Sequence, residues 1–119
     1  MEKTRLGIME YRFLTIIWEN EPVSSMQLVR ICGEGLEWNK STTFTMIRKL
    51  KEKGLITSDD SVIRSLKDRS EVEQEESEFF MQHTFSGSLP HFISAFLKGK
   101  SISDEEAEEL KQLIDRYRR

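Results

Sequence analysis

A single cysteine, Cys32, stands in a chain of 119 residues. It excludes an intramolecular disulfide and a cysteine cluster for a metal, and makes a reducing, cytoplasmic setting the default. Basic residues do not predominate: 18 Lys and Arg stand against 21 Asp and Glu, a net charge of −3. Any nucleic-acid function must therefore come from locally concentrated charge. No apolar run approaches the roughly 18 residues a membrane span needs. Met1-Glu2-Lys3-Thr4-Arg5 leads into an amphipathic segment rather than the apolar core of a signal peptide, so membrane insertion is not expected. Internal repeats and low-complexity segments are missing as well. His83 and His91 are separated by a helix break and have no cysteine nearby, a poor arrangement for a metal. Ser86-Gly87-Ser88 has glycine but no strand before it, so it reads as a turn between helices rather than a nucleophile elbow or phosphate loop. No nucleophile, base and acid come together in the pattern. Neither an enzyme nor a cofactor is expected.

What is present is a highly charged, α-rich composition with 37% apolar and 33% charged residues. The charge is unevenly spread. Met1 to Thr57 carries nine basic and seven acidic residues, and Ser58 to Arg119 carries nine and fourteen. Trp38 to Lys53 holds Lys40, Arg48, Lys49, Lys51 and Lys53 against Glu52 alone. A boundary is expected near Lys67-Asp68-Arg69, dividing residues 1–67 from residues 68–119.

Periodicity supplies the elements. Tyr11, Leu14 and Trp18 recur at helical spacing, predicting a helix over 6–19 that Asn20-Glu21-Pro22 ends. Ser24 with Gln27 forms a capping box for a second helix, which Gly33-Glu34-Gly35 should stop. Asn39 caps a third, with Thr43, Met46, Ile47 and Leu50 as its buried stripe and Gly54 past its end. Leu55 to Ser58 and Val62 to Leu66 read as two strands around Asp59-Asp60-Ser61. Three more helices follow: one from Glu71 to about Phe85, one begun by Ser88 with Pro90 in its first turn, and one capped by Ser103. The acidic Glu71 to Glu78 cluster reads as a solvated face, and the Asp104 to Glu109 run as a complement to a helix N-terminus.

Three helices followed by a hairpin is the order of a winged helix, in which the second and third helices form a helix-turn-helix. The fold class is thus mainly α with a small β-hairpin: a winged helix-turn-helix followed by a helical dimerisation region. On the third helix, Ser41, Thr45 and Arg48 oppose the buried stripe, with Thr42, Phe44 and Lys49 on the flanks. Hydroxyls can bond phosphates or base edges, a ring can pack on thymine methyls, and Arg or Lys can neutralise phosphate. The bland alternative is a solvated helix with a basic end. Against it, hydroxyls and a phenylalanine are poor choices for a purely solvated helical face. The candidate DNA-binding residues are Ser41, Thr42, Phe44 and Thr45 at bases, Arg48, Lys49 and Lys51 at phosphates, and Arg64 on the wing. The helix from Leu89 to Leu97 is apolar over most of its circumference, more than so short a region can bury by itself. Leu89, Phe92, Ile93, Phe96 and Leu97, with Leu110, Ile114 and Tyr117, are the candidate homodimer interface.

Leu6 to Trp18, the segment Trp38…Thr42…Thr45-Met46-Ile47…Lys49-Leu50, and Phe85-Ser86-Gly87-Ser88-Leu89 together resemble the BlaI/MecI penicillinase-repressor family, in the same order over nearly the whole chain. The resemblance implies a cytoplasmic transcriptional repressor. It would bind a palindromic double-stranded DNA operator as a homodimer, in many relatives under the control of a membrane sensor protease. It places the family's tryptophan at Trp38, two DNA-facing threonines at Thr42 and Thr45, and a basic residue at Lys49. The chain departs from the pattern with Lys40 where relatives have proline, and with Ser41 and Phe44 where basic residues are frequent. The paired cysteines of copper-responsive relatives have no counterpart. At the relatives' Asn-Phe cleavage bond stands Ala95-Phe96, so cleavage elsewhere, or release without proteolysis, is expected. The rival class is a winged-helix protein-interaction module that does not bind DNA.

Overall fold

The apolar residues of the first helix, α1 (Ile8–Asn20), return at the spacing that puts Phe13, Leu14 and Ile17 on one side, and all three are fully buried. The structure, a computed structural model, describes residues 6–119. The polar lead-in Met1 to Arg5 lies outside the described residues. After α1 come β1 (Val23–Ser24), α2 (Ser25–Leu36), α3 (Lys40–Glu52), β2 (Ile56–Asp59), β3 (Val62–Ser65), α4 (Arg69–Phe85), α5 (Leu89–Leu97) and α6 (Asp104–Tyr117). The fold is a winged helix-turn-helix followed by helices, with a small antiparallel sheet.

That sheet has three strands in the order β1-β3-β2, where the sequence predicted two. Val23 pairs with Ile63 and Ser24 with Val62, so the short segment between α1 and α2 closes the inner edge of the hairpin. Ser24 serves twice. Its backbone is in the strand, and its hydroxyl accepts from the Gln27 N–H at 3.0 Å while the Gln27 side-chain oxygen accepts from the Ser24 N–H at 2.8 Å. This reciprocal pair satisfies two donors at the start of α2.

Two further expectations need correction. The helix α2 does not stop at Gly33-Glu34-Gly35 but runs on to Leu36. Leu36 packs against the core, and Glu37, not a glycine, takes the left-handed conformation that ends the helix (φ 56°). Tertiary burial here outweighs the glycines' weak helix propensity. The hairpin turn contains two residues rather than three, because Asp59 pairs with Val62. Asp60 and Ser61 both have positive φ, 53° and 64°, the geometry a two-residue hairpin turn requires. The Ser61 carbonyl also accepts from the Ser25 N–H at 2.9 Å, which ties the turn to the start of α2.

The core joins α1, α2, α3 and the sheet around Phe13, Leu14, Ile17, Leu28, Cys32, Leu50, Ile56 and Ile63. Burial pushes the Cys32 thiol up from its ordinary range, so it acts as a small apolar packing residue. Polar ties then fix the sheet and the next helix on α1. The Glu21 carboxylate accepts from the Ser65 N–H at 2.7 Å and from its hydroxyl at 2.8 Å. The Trp18 indole N–H donates to the Lys67 carbonyl at 2.9 Å, and the Arg69 guanidinium lies 5.1 Å from the Trp18 ring. Asp68 and Glu71 exchange side-chain and backbone hydrogen bonds, so α4 starts two residues earlier than predicted. Val72 on its first turns is buried in the same core.

The chain divides into two compact units, Met1–Phe80 and Met81–Arg119. In the second, Phe85, Phe92 and Phe96 form a row with ring centroids 5.4 and 5.9 Å apart. Ser88 and Ser103 cap α5 and α6 through hydrogen bonds from the His91 and Glu106 N–H groups. No residue from 81 to 119 is buried. No described helix is long and apolar enough to cross a membrane.

Candidate nucleic-acid interface

The third helix owes its position to both of its ends and to its inner face. At the start, the Asn39 side-chain oxygen accepts from the Thr42 N–H at 2.8 Å. Trp38, just before the cap, packs its ring 5.6 Å from that of buried Phe13. Along the inner face Thr43, Met46, Ile47 and Leu50 are all buried, as their spacing predicted. Thr43 carries a hydroxyl into this apolar contact, beside the Cys32 thiol.

At the far end the Lys53 ammonium reaches the Glu10 carboxylate on α1 at 2.9 Å. Burial alone would push the Glu10 carboxyl up. The Gly7 N–H, which donates to it at 2.8 Å, and the cations of Lys53 and Lys49 outweigh that effect and hold it below the usual carboxylate range. Gly54 follows with φ 76° and turns the chain into β2.

These anchors decide which cations face outward. Lys53 is committed to α1, whereas Lys40, Arg48, Lys49 and Lys51 are exposed. Ser41 and Phe44 are exposed too, and Thr42 and Thr45 are half-buried rather than fully exposed. The outward face of α3 therefore presents hydroxyls and one ring near its N-terminus and cations towards its C-terminus.

Lys40 was not among the candidate residues. Its ammonium lies 5.9 Å from the centroid of the Phe44 ring, one helical turn on. The four-residue spacing of a lysine and an aromatic was the available signal. On the wing, Arg64 is exposed in mid-strand and pairs with Thr57 across β2, while the tip carries Asp59 and Asp60. An acidic tip repels phosphate, so cationic contact from the wing has to come from its strand. Of the candidate interface in the second unit, Leu89, Ile93, Phe96, Leu110, Ile114 and Tyr117 are exposed, and Phe92 and Leu97 are half-buried. The described residues contain no group of His, Cys, Asp and Glu side chains able to hold a metal.

A two-helix motif with a basic, hydroxyl-rich second helix, a β-hairpin beside it and a helical extension defines a winged-helix regulator. The family model described as penicillinase repressor matches residues 6–116. A penicillinase repressor of Bacillus licheniformis is 22% identical over 113 residues, covering 92% of this chain and 88% of that protein. The chain belongs to the penicillinase repressor family, a family of transcriptional repressors.

Proposed function

We propose that the chain is a cytoplasmic, dimeric repressor that occupies a palindromic operator in double-stranded DNA, with α3 in the major groove. Residues 1–67 carry the DNA-binding function and residues 68–119 the dimerisation function. The observation that carries the reading is the outward face of α3: Ser41, Thr42, Phe44 and Thr45 gathered at its N-terminal half, and Arg48, Lys49 and Lys51 beyond them. The first turns of such a helix are the part that reaches base edges. In this reading Ser41, Thr42, Phe44 and Thr45 approach bases, and Arg48, Lys49, Lys51 and, from the wing, Arg64 hold phosphates. Repression is steric, and no catalysis is involved.

The dimer rests on the second unit. A segment of helices in which no residue is buried, but in which Leu89, Phe96, Ile114 and Tyr117 are each more than half exposed, needs another surface. A second copy supplies it and doubles the DNA contacts at the same time. Relief of repression, with or without a membrane sensor protease, does not use an Asn-Phe bond at Ala95-Phe96, because the asparagine is missing.

The base-reading role is tested by changing Thr42 and Thr45 to Ala. Neither is buried, so the fold should persist. Preference for the operator over random duplex should fall by on the order of 1–3 kcal/mol for each threonine that reads a base. Competition binding reads this directly, and unchanged preference would remove both residues from the reading face.

A further inference from the structure

Among the described residues of α3, Phe44 is the one exposed apolar side chain, with 39% of its surface accessible. An aromatic residue there is a weak choice for helix stability, since Glu, Lys or Gln would favour the helix more. It forms no part of the core: Thr43, Met46, Ile47 and Leu50 supply that contact from the opposite side. Its surroundings are Ser41 and Thr45, which bear hydroxyls, and the exposed Arg48 one turn on. Lys40 holds its ammonium 5.9 Å from the ring centroid, so the apolar surface and a cation lie together at the N-terminal end of the helix.

In the major groove only one of the four ordinary bases offers an apolar group, the C5 methyl of thymine. A phenyl ring has no hydrogen-bonding group with which to read the others. An ammonium over such a ring has the reach of a flexible four-carbon stem and acts as a point charge on phosphate.

We propose that Phe44 reads thymine, its ring packing on the C5 methyl of one thymine in each half-site, and that Lys40 binds a backbone phosphate beside that thymine. This inference rests on the reading of α3 as a DNA-binding helix.

The full chain is first allowed to select its preferred duplex from a random-sequence pool. Each thymine of that duplex is then replaced singly by deoxyuridine, which removes only the methyl group. One thymine per half-site should prove sensitive, with binding weakened about four-fold, the effect of withdrawing one methyl from an apolar contact. In Phe44→Ala, which should fold normally because the side chain is exposed, that sensitivity should disappear. Lys40→Ala should keep the sensitivity and make the salt dependence shallower by about one unit of slope per protomer.

Tolerance of uracil at every thymine, or equal sensitivity in Phe44→Ala, would overturn the thymine role while leaving DNA reading intact. An unchanged salt slope in Lys40→Ala would overturn the phosphate role. Failure to enrich any sequence would overturn sequence reading by α3, and the inference with it.

Discussion

Phe96→Asp should convert the proposed dimer into a folded monomer. Phe96 is 55% exposed in the single chain, so nothing in the protomer's own core depends on it. Its ring continues the row begun by Phe85 and Phe92, on a helix with no buried residue. In the proposed dimer two aspartates, one from each copy, would enter an apolar interface. An unpaired carboxylate there is strongly unfavourable. Lys100, whose ammonium lies 4.4 Å from the Phe96 ring, could pair with the new carboxylate in an exposed monomer, which favours dissociation further. At ~2 kcal/mol or more per carboxylate, the dimer constant should weaken on the order of a thousand-fold. Sedimentation velocity at micromolar concentration should show one chain per particle with unchanged helical content. Operator affinity should largely vanish while weak half-site binding remains. A stable dimer would move the interface to the face of Leu110, Ile114 and Tyr117 on α6.

The second large effect concerns the core beneath the reading helix. Phe13 is fully buried, and its ring supports Trp38 at the entrance to α3. Phe13→Ala removes a ring from a closed interior and leaves a cavity that the surrounding helices fill only in part. The expected destabilisation is ~3–5 kcal/mol, a large share of the roughly 5–15 kcal/mol that holds a domain folded. Denaturant unfolding should show the midpoint falling steeply, and DNA binding should fail with it. A destabilisation below about 1 kcal/mol would mean that Phe13 is not a centre of the packing that positions α3.

The parts of the molecule written in local periodicity were legible in the sequence. The stripe of Thr43, Met46, Ile47 and Leu50, the Asn39 cap, the Ser24–Gln27 box and the Gly54 stop all follow from residues within one or two helical turns of each other. What escaped depends on partners far along the chain. A two-residue strand at Val23–Ser24 has no period to detect and exists because Ile63 and Val62 come to it. The continuation of α2 across two glycines depends on the packing of Leu36. The turn at Asp60-Ser61 lacks the glycine that usually signals its geometry. At the candidate site, charge counting placed Lys53 in the same basic stretch as Arg48, Lys49 and Lys51, yet its ammonium is drawn to Glu10, 43 residues away. Lys40 joins Phe44 at the other end, a pairing that four-residue spacing encodes but charge counting overlooks.

Salt dependence of binding to duplex DNA tests the central claim most directly. The intact chain is titrated on its own upstream region between about 50 and 200 mM salt. Arg48, Lys49, Lys51 and Arg64 are exposed on the proposed DNA face of each protomer. If the two copies of a dimer engage about six to eight phosphates through them, the slope of log affinity against log salt should lie near −5 to −7, with affinity falling on the order of a thousand-fold or more. Lys49→Ala or Lys51→Ala should weaken all duplexes alike and flatten that slope. Absence of duplex binding at the lowest salt, or binding indifferent to salt, would contradict the account and favour a winged helix that binds a protein partner instead.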